Sequence, residues 1–178
     1  MNKLNLIIGT IVIALTFGMT TVLANSPGKT SKMNIVEIAS ADAQFSILVD
    51  AVVKAELVDA LSAAGPYTVF APTNDAFNDL FKSLGVNGID DLSKEQLKPI
   101  LLYHVVEGEV WSKDISSGKV ATLNNTASID VEVMKNTVKI NKSKVVAADI
   151  DASNGVIHVI DKVLIPEVKT SSKSKGGC

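Results

Sequence analysis

Apolar residues recur at three- and four-residue spacing through the first half of the chain and alternate with polar residues through the second. Ile35, Val36, Ile38 and Ala39 predict a short helical segment starting near Asn34, and Asp42 stands where it can cap a second helix with Phe45, Leu48, Val49 and Val52 on one face. Leu57, Val58 and Leu61 continue that period until Ala63-Ala64-Gly65-Pro66, where glycine favours a helix terminus and proline cannot extend one. Residues 67–70 predict a strand, broken at Ala71-Pro72. Thr73 or Asn74 then caps a helix with Asp75 in its first turn, an apolar face of Ala76, Phe77, Leu80, Phe81 and Leu84, and Gly85 at its end. Ser93 and Gln96 form a capping box for the next helix, which carries Leu97, Ile100 and Leu101 toward Tyr103-His104. Pro99 lies inside it, removes an amide donor, and predicts a kink or an early 3₁₀ turn.

Strands are expected at 119–123, 129–134, 138–140, 144–148 and 156–165. Ile129, Val131 and Val133 alternate with Asp130 and Glu132, and a turn follows at Lys135-Asn136. Asn154-Gly155 is expected to supply positive dihedrals before the last strand, which Pro166 closes. Helices gathered ahead of strands predict an α+β domain with a largely antiparallel sheet.

The two ends carry other signals. Lys3, the apolar stretch 4–17 and the small residues before Asn25 read as a secretory signal cleaved after Ala24, because that stretch is shorter than the ~20 residues of a membrane-spanning helix. Residues 25–33 read as a flexible leader, 34–167 as one domain, and 168–178 as a disordered Lys/Ser/Gly tail ending in Cys178. The expected location is secreted or periplasmic, with no stable membrane span after cleavage. Cys178 is the single cysteine, so stability must come from packing, while a disulfide-linked dimer through the tail is open to an exported chain.

Charge and composition narrow the chemistry. The basic residues are all lysines, so the bidentate fork best suited to phosphate is missing, and nothing in the pattern builds a basic face for nucleic acid. The two histidines, His104 and His158, are too few for a zinc site without carboxylate help, and no metal or cofactor is implied. His158 stands in a strand apolar on both sides and reads as a neutral core histidine. Both histidines are expected to be structural, with at least one bonded to the Thr73-Asn74-Asp75 turn. No Gly-x-Ser-x-Gly elbow is present, and the i, i+2 carboxylates Glu107/Glu109 and Asp149/Asp151 read as solvated faces, so no enzyme is expected. The sequons at Asn124 and Asn141 matter only in a eukaryotic secretory pathway.

Three motifs stand in register. They are Gly65-Pro66-Tyr67-Thr68-Val69-Phe70-Ala71-Pro72-Thr73-Asn74-Asp75-Ala76-Phe77, the pair Tyr103-His104, and Asn154-Gly155-Val156-Ile157-His158-Val159-Ile160-Asp161. In this order and spacing they resemble the fasciclin (FAS1, beta-Ig-h3-like) domain, here in the form of a bacterial secreted single-domain member, over residues 33–166. The resemblance implies a wedge or sandwich of about seven strands covered by several helices. It also implies an adhesion or interaction module for a cell-surface or matrix component, protein or glycan. In animal members an Asp-Ile pair and the Tyr-His pair are implicated in integrin binding, which by resemblance points to Asp149, Ile150, Tyr103 and His104. A carboxylate beside an apolar residue suits that role, one ligating a partner's metal ion and the other anchoring the contact. Pro99, and Glu107 where a proline commonly stands, depart from the family pattern. An alternative is a carrier holding a small apolar ligand between helices and sheet, and a third reading is a hydrolase with facing carboxylates.

Overall fold

Residues 32–135 and 137–166 are described by a computed structural model. The expected signal segment, most of the leader and the tail with Cys178 lie outside these residues.

Short-range polar contacts set the helix starts. Asn34 caps α1 (Ile35–Ala41) in a capping box, with Glu37 N–H donating to Asn34 Oδ1 at 2.9 Å and Asn34 N–H to Glu37 Oε2 at 2.7 Å. Asp42 accepts from Gln44 N–H at 3.0 Å and opens a 3₁₀ turn leading into α2 (Ser46–Lys54). The helical period does not run unbroken to Leu61: Glu56 takes φ +55, and α3 (Val58–Ser62) starts afresh. Thr73 caps α4 (Asn74–Leu84), which ends at Gly85 in the left-handed region. The Ser93/Gln96 capping box heads α5 (Lys94–Tyr103). No 3₁₀ turn interrupts α5, which is α-helical through Pro99. Only one backbone bond is forfeited there, while Leu97 and Leu101 on either side are buried in the main core and Pro99 O accepts from Asn124 Nδ2 at 2.9 Å.

Seven strands form one sheet: β1 (Tyr67–Pro72), β2 (Val105–Glu107), β3 (Gly118–Ala121), β4 (Ser128–Met134), β5 (Thr137–Ile140), β6 (Ser143–Ala152) and β7 (Gly155–Ile160). Their order is β2-β1-β7-β6-β5-β4-β3, with every neighbouring pair antiparallel except β1 and β7. The sheet curls until its ends meet. Leu123 N–H, just past β3, donates to Val105 O on β2 at 2.8 Å, and Asn124 N–H to Leu102 O at 3.1 Å. The α+β expectation with about seven strands therefore holds, as a near-barrel covered by helices. β6 runs four residues further than expected, and β7 stops at Ile160.

Central strands β1 and β7 are buried on both faces, and their alternation divides the core in two. Val69, Ala71, Ile157 and Val159 pack with Phe45, Phe77 and Leu97 in the helical layer. Phe70 and Ile160 point into the barrel with Tyr103, Ile129, Ile140 and Leu164. The Asn154-Gly155 turn needs no positive φ, contrary to expectation. Gly155 is required by close approach instead, since a Cβ there would lie 2.0 Å from Tyr67 O across the parallel pair. Asn154 ties the layers: its Oδ1 accepts from Ile35 N–H at 3.0 Å, and its Nδ2 donates to Leu61 O at 2.8 Å and Ala63 O at 2.9 Å.

Candidate interaction site at the Asp149 bulge

The pairing of β6 with β7 slips twice, between Val145 and Ala147 and between Ala147 and Ile150. The resulting bulge puts exposed Asp149 at φ +61, in the left-handed region. Asp149 N–H donates inward to His158 Nδ1 at 3.3 Å, and the ring's other nitrogen bonds Val110 O at 2.8 Å. Because a carbonyl can only accept, His158 carries its proton on Nε2 and leaves Nδ1 as an acceptor. The ring is fully buried and stacked on Phe70, with centroids 5.8 Å apart. Burial pushes its pKa below the usual histidine range, against the opposing effects of the Val110 carbonyl and the Asp149 charge.

The outward side of Asp149 is engaged as well. Its carboxylate accepts from Ser112 N–H at 2.7 Å and, in a short contact, from Ser112 Oγ. Buried Thr68 adds a third tie, accepting from Val110 N–H at 2.9 Å and donating to Gly108 O at 2.7 Å, while Gly108 N–H bonds Pro66 O at 2.9 Å. Alternate residues Gly108, Val110 and Ser112 are thus fastened to the barrel. The fastened loop carries Trp111, half-buried, and the exposed Ser112, Lys113 and Asp114. Polar groups that would otherwise be costly inside a barrel fix an exposed loop in one conformation.

Ile150 is half-buried against the helical-layer core, next to exposed Asp149. Tyr103 and His104 lie inside, 4 % and 2 % exposed, and do not reach the same surface. Tyr103 OH donates to Ser128 O at 2.9 Å and accepts from Asn141 Nδ2 at 3.1 Å. His104 Nε2 accepts from Leu164 N–H at 2.8 Å, so Nδ1 bears the proton and donates to Ile100 O at 2.8 Å. Desolvation lowers its pKa to about 4, against the bond to Ile100, and the ring stays neutral near pH 7.

One expectation is corrected: neither histidine bonds the Thr73-Asn74-Asp75 turn, since all four ring nitrogens are engaged with backbone elsewhere. That turn clamps α2 instead. Asn74 Oδ1 accepts from Ile47 N–H at 3.1 Å, and its Nδ2 donates to Ala43 O at 2.9 Å and Ser46 Oγ at 3.0 Å. Thr73 Oγ1 accepts from Ala76 N–H at 3.4 Å, and Asp75 stands exposed in the first turn of α4. Thr68, Val110 and Ser112 went unnoticed in the sequence. Gly108, with φ +98, and Gly118, with φ +155, bracket the loop they hold.

Among the described residues no group of three His, Cys, Asp or Glu could hold a metal ion, and no helix is long and apolar enough to cross a membrane. An apolar cavity beneath α1, lined by residues including Ile35, Leu48, Val52, Leu101 and His104, has a volume of about 30 Å³.

Residues 43–166 match the family described as the fasciclin domain. Protein sll1483 of Synechocystis is 50 % identical over 136 residues, covering 76 % of this chain and 75 % of that one. The transforming growth factor-beta-induced protein ig-h3 of Sus scrofa is 40 % identical over 134 residues, covering 74 % of this chain but 19 % of its own length. The solved structure of a FAS1 domain pair from the insect cell adhesion molecule fasciclin I shares the fold, with a TM-score of 0.65 at 22 % identity over 77 % of this chain and 52 % of that one.

Proposed function

The chain belongs to the fasciclin family, whose members are associated with adhesion at cell surfaces and in extracellular matrix and are not enzymes, and on that premise we propose that it is an exported interaction module. Its partner is a cell-surface or matrix component, and its contact face is the Asp149 bulge together with the loop over residues 109–117. The observation that carries this reading is the left-handed Asp149 on an exposed bulge, bonded inward to buried His158 and outward to Ser112. An exposed residue held in the left-handed region by a buried polar network keeps a recognition loop in one conformation. Ile150, half-buried beside it, belongs to the rim of this face. Tyr103 and His104, buried and bonded to Ser128, Asn141, Ile100 and Leu164, lie away from this face. A dimer linked through Cys178 is compatible with export and is checked on a non-reducing gel. The alternative, a small-ligand carrier, is disfavoured by the cavity: about 30 Å³ falls far short of the roughly 300–1,000 Å³ of ligand pockets.

The test is crosslinking capture by the purified chain from the producing cell's envelope and matrix fractions, beside Asp149→Ala and a helical-face control, Lys82→Gln. A partner captured by wild type and by the control but lost with Asp149→Ala supports the reading. Capture unchanged in Asp149→Ala moves the contact off this face, and capture of no macromolecule contradicts the module itself.

A further inference from the structure

Among the described lysines some sit in ion pairs and others do not. In the helical layer Lys54 stands 3.8 Å from Asp90, Lys82 stands 3.3 Å from Asp79, and Lys94 pairs closely with Glu56. On the sheet Lys119 reaches Asp130 at 3.7 Å, but Lys139, Lys142, Lys144 and Lys162 make no ion pair among the described residues. These four share one corner. Lys139 on β5 is directly opposite Lys144 on β6, and Lys142 occupies the two-residue turn between the strands, after Asn141 at φ +54. Lys162 is held against the same hairpin by its N–H to Ser143 Oγ at 3.1 Å.

Like charges directly opposite on neighbouring strands oppose pairing. Two carboxylates at this corner, Asp161 and Glu132, offset the four ammonium groups only in part. The Asp161 carboxylate is engaged by Ser143 Oγ at 3.0 Å and Lys144 N–H at 2.7 Å, and Glu132 lies opposite Lys139 without forming an ion pair. Residues 32–103, by contrast, carry ten acids and five lysines, so the overall charge of −2 conceals a basic corner set against an acidic helical layer.

We infer that the β5–β6 corner of Lys139, Lys142, Lys144 and Lys162 is a docking surface for an acidic polysaccharide. Charge complementarity chooses this occupant. The chain has no arginine, so no bidentate fork is available for a single phosphate, whereas lysine ammonium groups on flexible stems suit carboxylates repeated along an extended chain. Lys139 and Lys144 lie about 5 Å apart at the backbone, and Lys144 is about 15 Å along β6 from Asp149, so this surface is separate from the bulge. The inference adds a glycan partner to the interaction-module reading and stands on different residues.

The experiment retains the full chain on immobilised polygalacturonate and elutes it with salt, beside a neutral dextran column and anionic phosphatidylglycerol vesicles. Lys139→Gln/Lys144→Gln is compared with Lys82→Gln/Lys98→Gln from the helical layer and with Asp149→Ala. The expected result is retention of wild type on polygalacturonate alone, with binding that falls steeply with salt. The sheet double variant is expected to bind about tenfold more weakly with a shallower salt dependence, and both other variants to bind as wild type. Its thermal midpoint should hold or rise, which excludes unfolding as the cause. No retention at low salt, an equal loss in the helical-layer variant, or stronger binding to vesicles than to polysaccharide overturns the inference. If envelope capture still depends on Asp149 in that event, the interaction-module reading survives without this surface.

Discussion

Replacing Asp149 with alanine, glycine or asparagine separates the two demands made on this residue. Its backbone sits at φ +61, where a Cβ costs roughly 1–2 kcal/mol unless the side chain is Asn, Asp or absent. Its carboxylate holds Ser112 through two hydrogen bonds that, being solvent-exposed, are worth about 0.5 kcal/mol each, near the bottom of the usual range. Alanine loses the bonds and takes on the Cβ penalty that aspartate avoids, for a destabilisation of about 2–3 kcal/mol. Glycine loses the bonds but carries no Cβ penalty, for about 1 kcal/mol. Asparagine tolerates the conformation and keeps an acceptor for Ser112 N–H, for about 0.5 kcal/mol. The sign is diagnostic, because glycine ordinarily destabilises a strand relative to alanine. Urea unfolding followed by circular dichroism gives the ranking. Trp111, the single tryptophan and the neighbour of Ser112, reports loop release as a red shift before the global transition. Alanine as stable as glycine would refute the backbone constraint, and identical Trp111 emission in alanine and wild type at all urea concentrations would refute the tether.

Three further outcomes are expected. Asn154→Ala leaves Ile35 N–H, Leu61 O and Ala63 O without their partners and should lower stability by about 3 kcal/mol in denaturant titration. Acid should weaken the fold in a defined window. The unfolded chain protonates its histidines near pH 6.5, while folded His104 resists to about 4, so stability is complete above pH 6.5 and falls by about 3 kcal/mol toward pH 4. His158, also lowered, acts in the same direction, so a His104→Phe chain should show a flatter but not flat stability–pH curve over that interval. Pro99→Ala restores a donor in exposed mid-helix and should raise the thermal midpoint, by an amount corresponding to about 1–3 kcal/mol.

Features fixed by neighbours in sequence were legible from it. The Thr73 cap, the Ser93/Gln96 box and the Gly85 terminus each need only three or four residues, and six of the seven strands follow from their apolar runs and alternation, the short β2 being the one not read. What escaped depends on register or on backbone partners. The parallel match of β1 with β7 joins segments almost ninety residues apart, and the bulge at Asp149 falls where residues 146–149 are all exposed and alternation is lost. The histidines were recognised as structural, but their partners are backbone groups of Ile100, Val110, Asp149 and Leu164, which any side chain would supply equally. The opposed Lys139 and Lys144 likewise become neighbours only once the β5–β6 register is known.

The central claim is that this domain meets its partner through the Asp149 bulge and the loop fastened to it. Hydrogen–deuterium exchange on the chain, free and bound to the component captured from the envelope or matrix, tests it most directly. The account predicts new protection over residues 109–117 and 147–151, with α2 and α4 unchanged. Protection confined to the helical layer, with the loop exchanging as in the free chain, would contradict it.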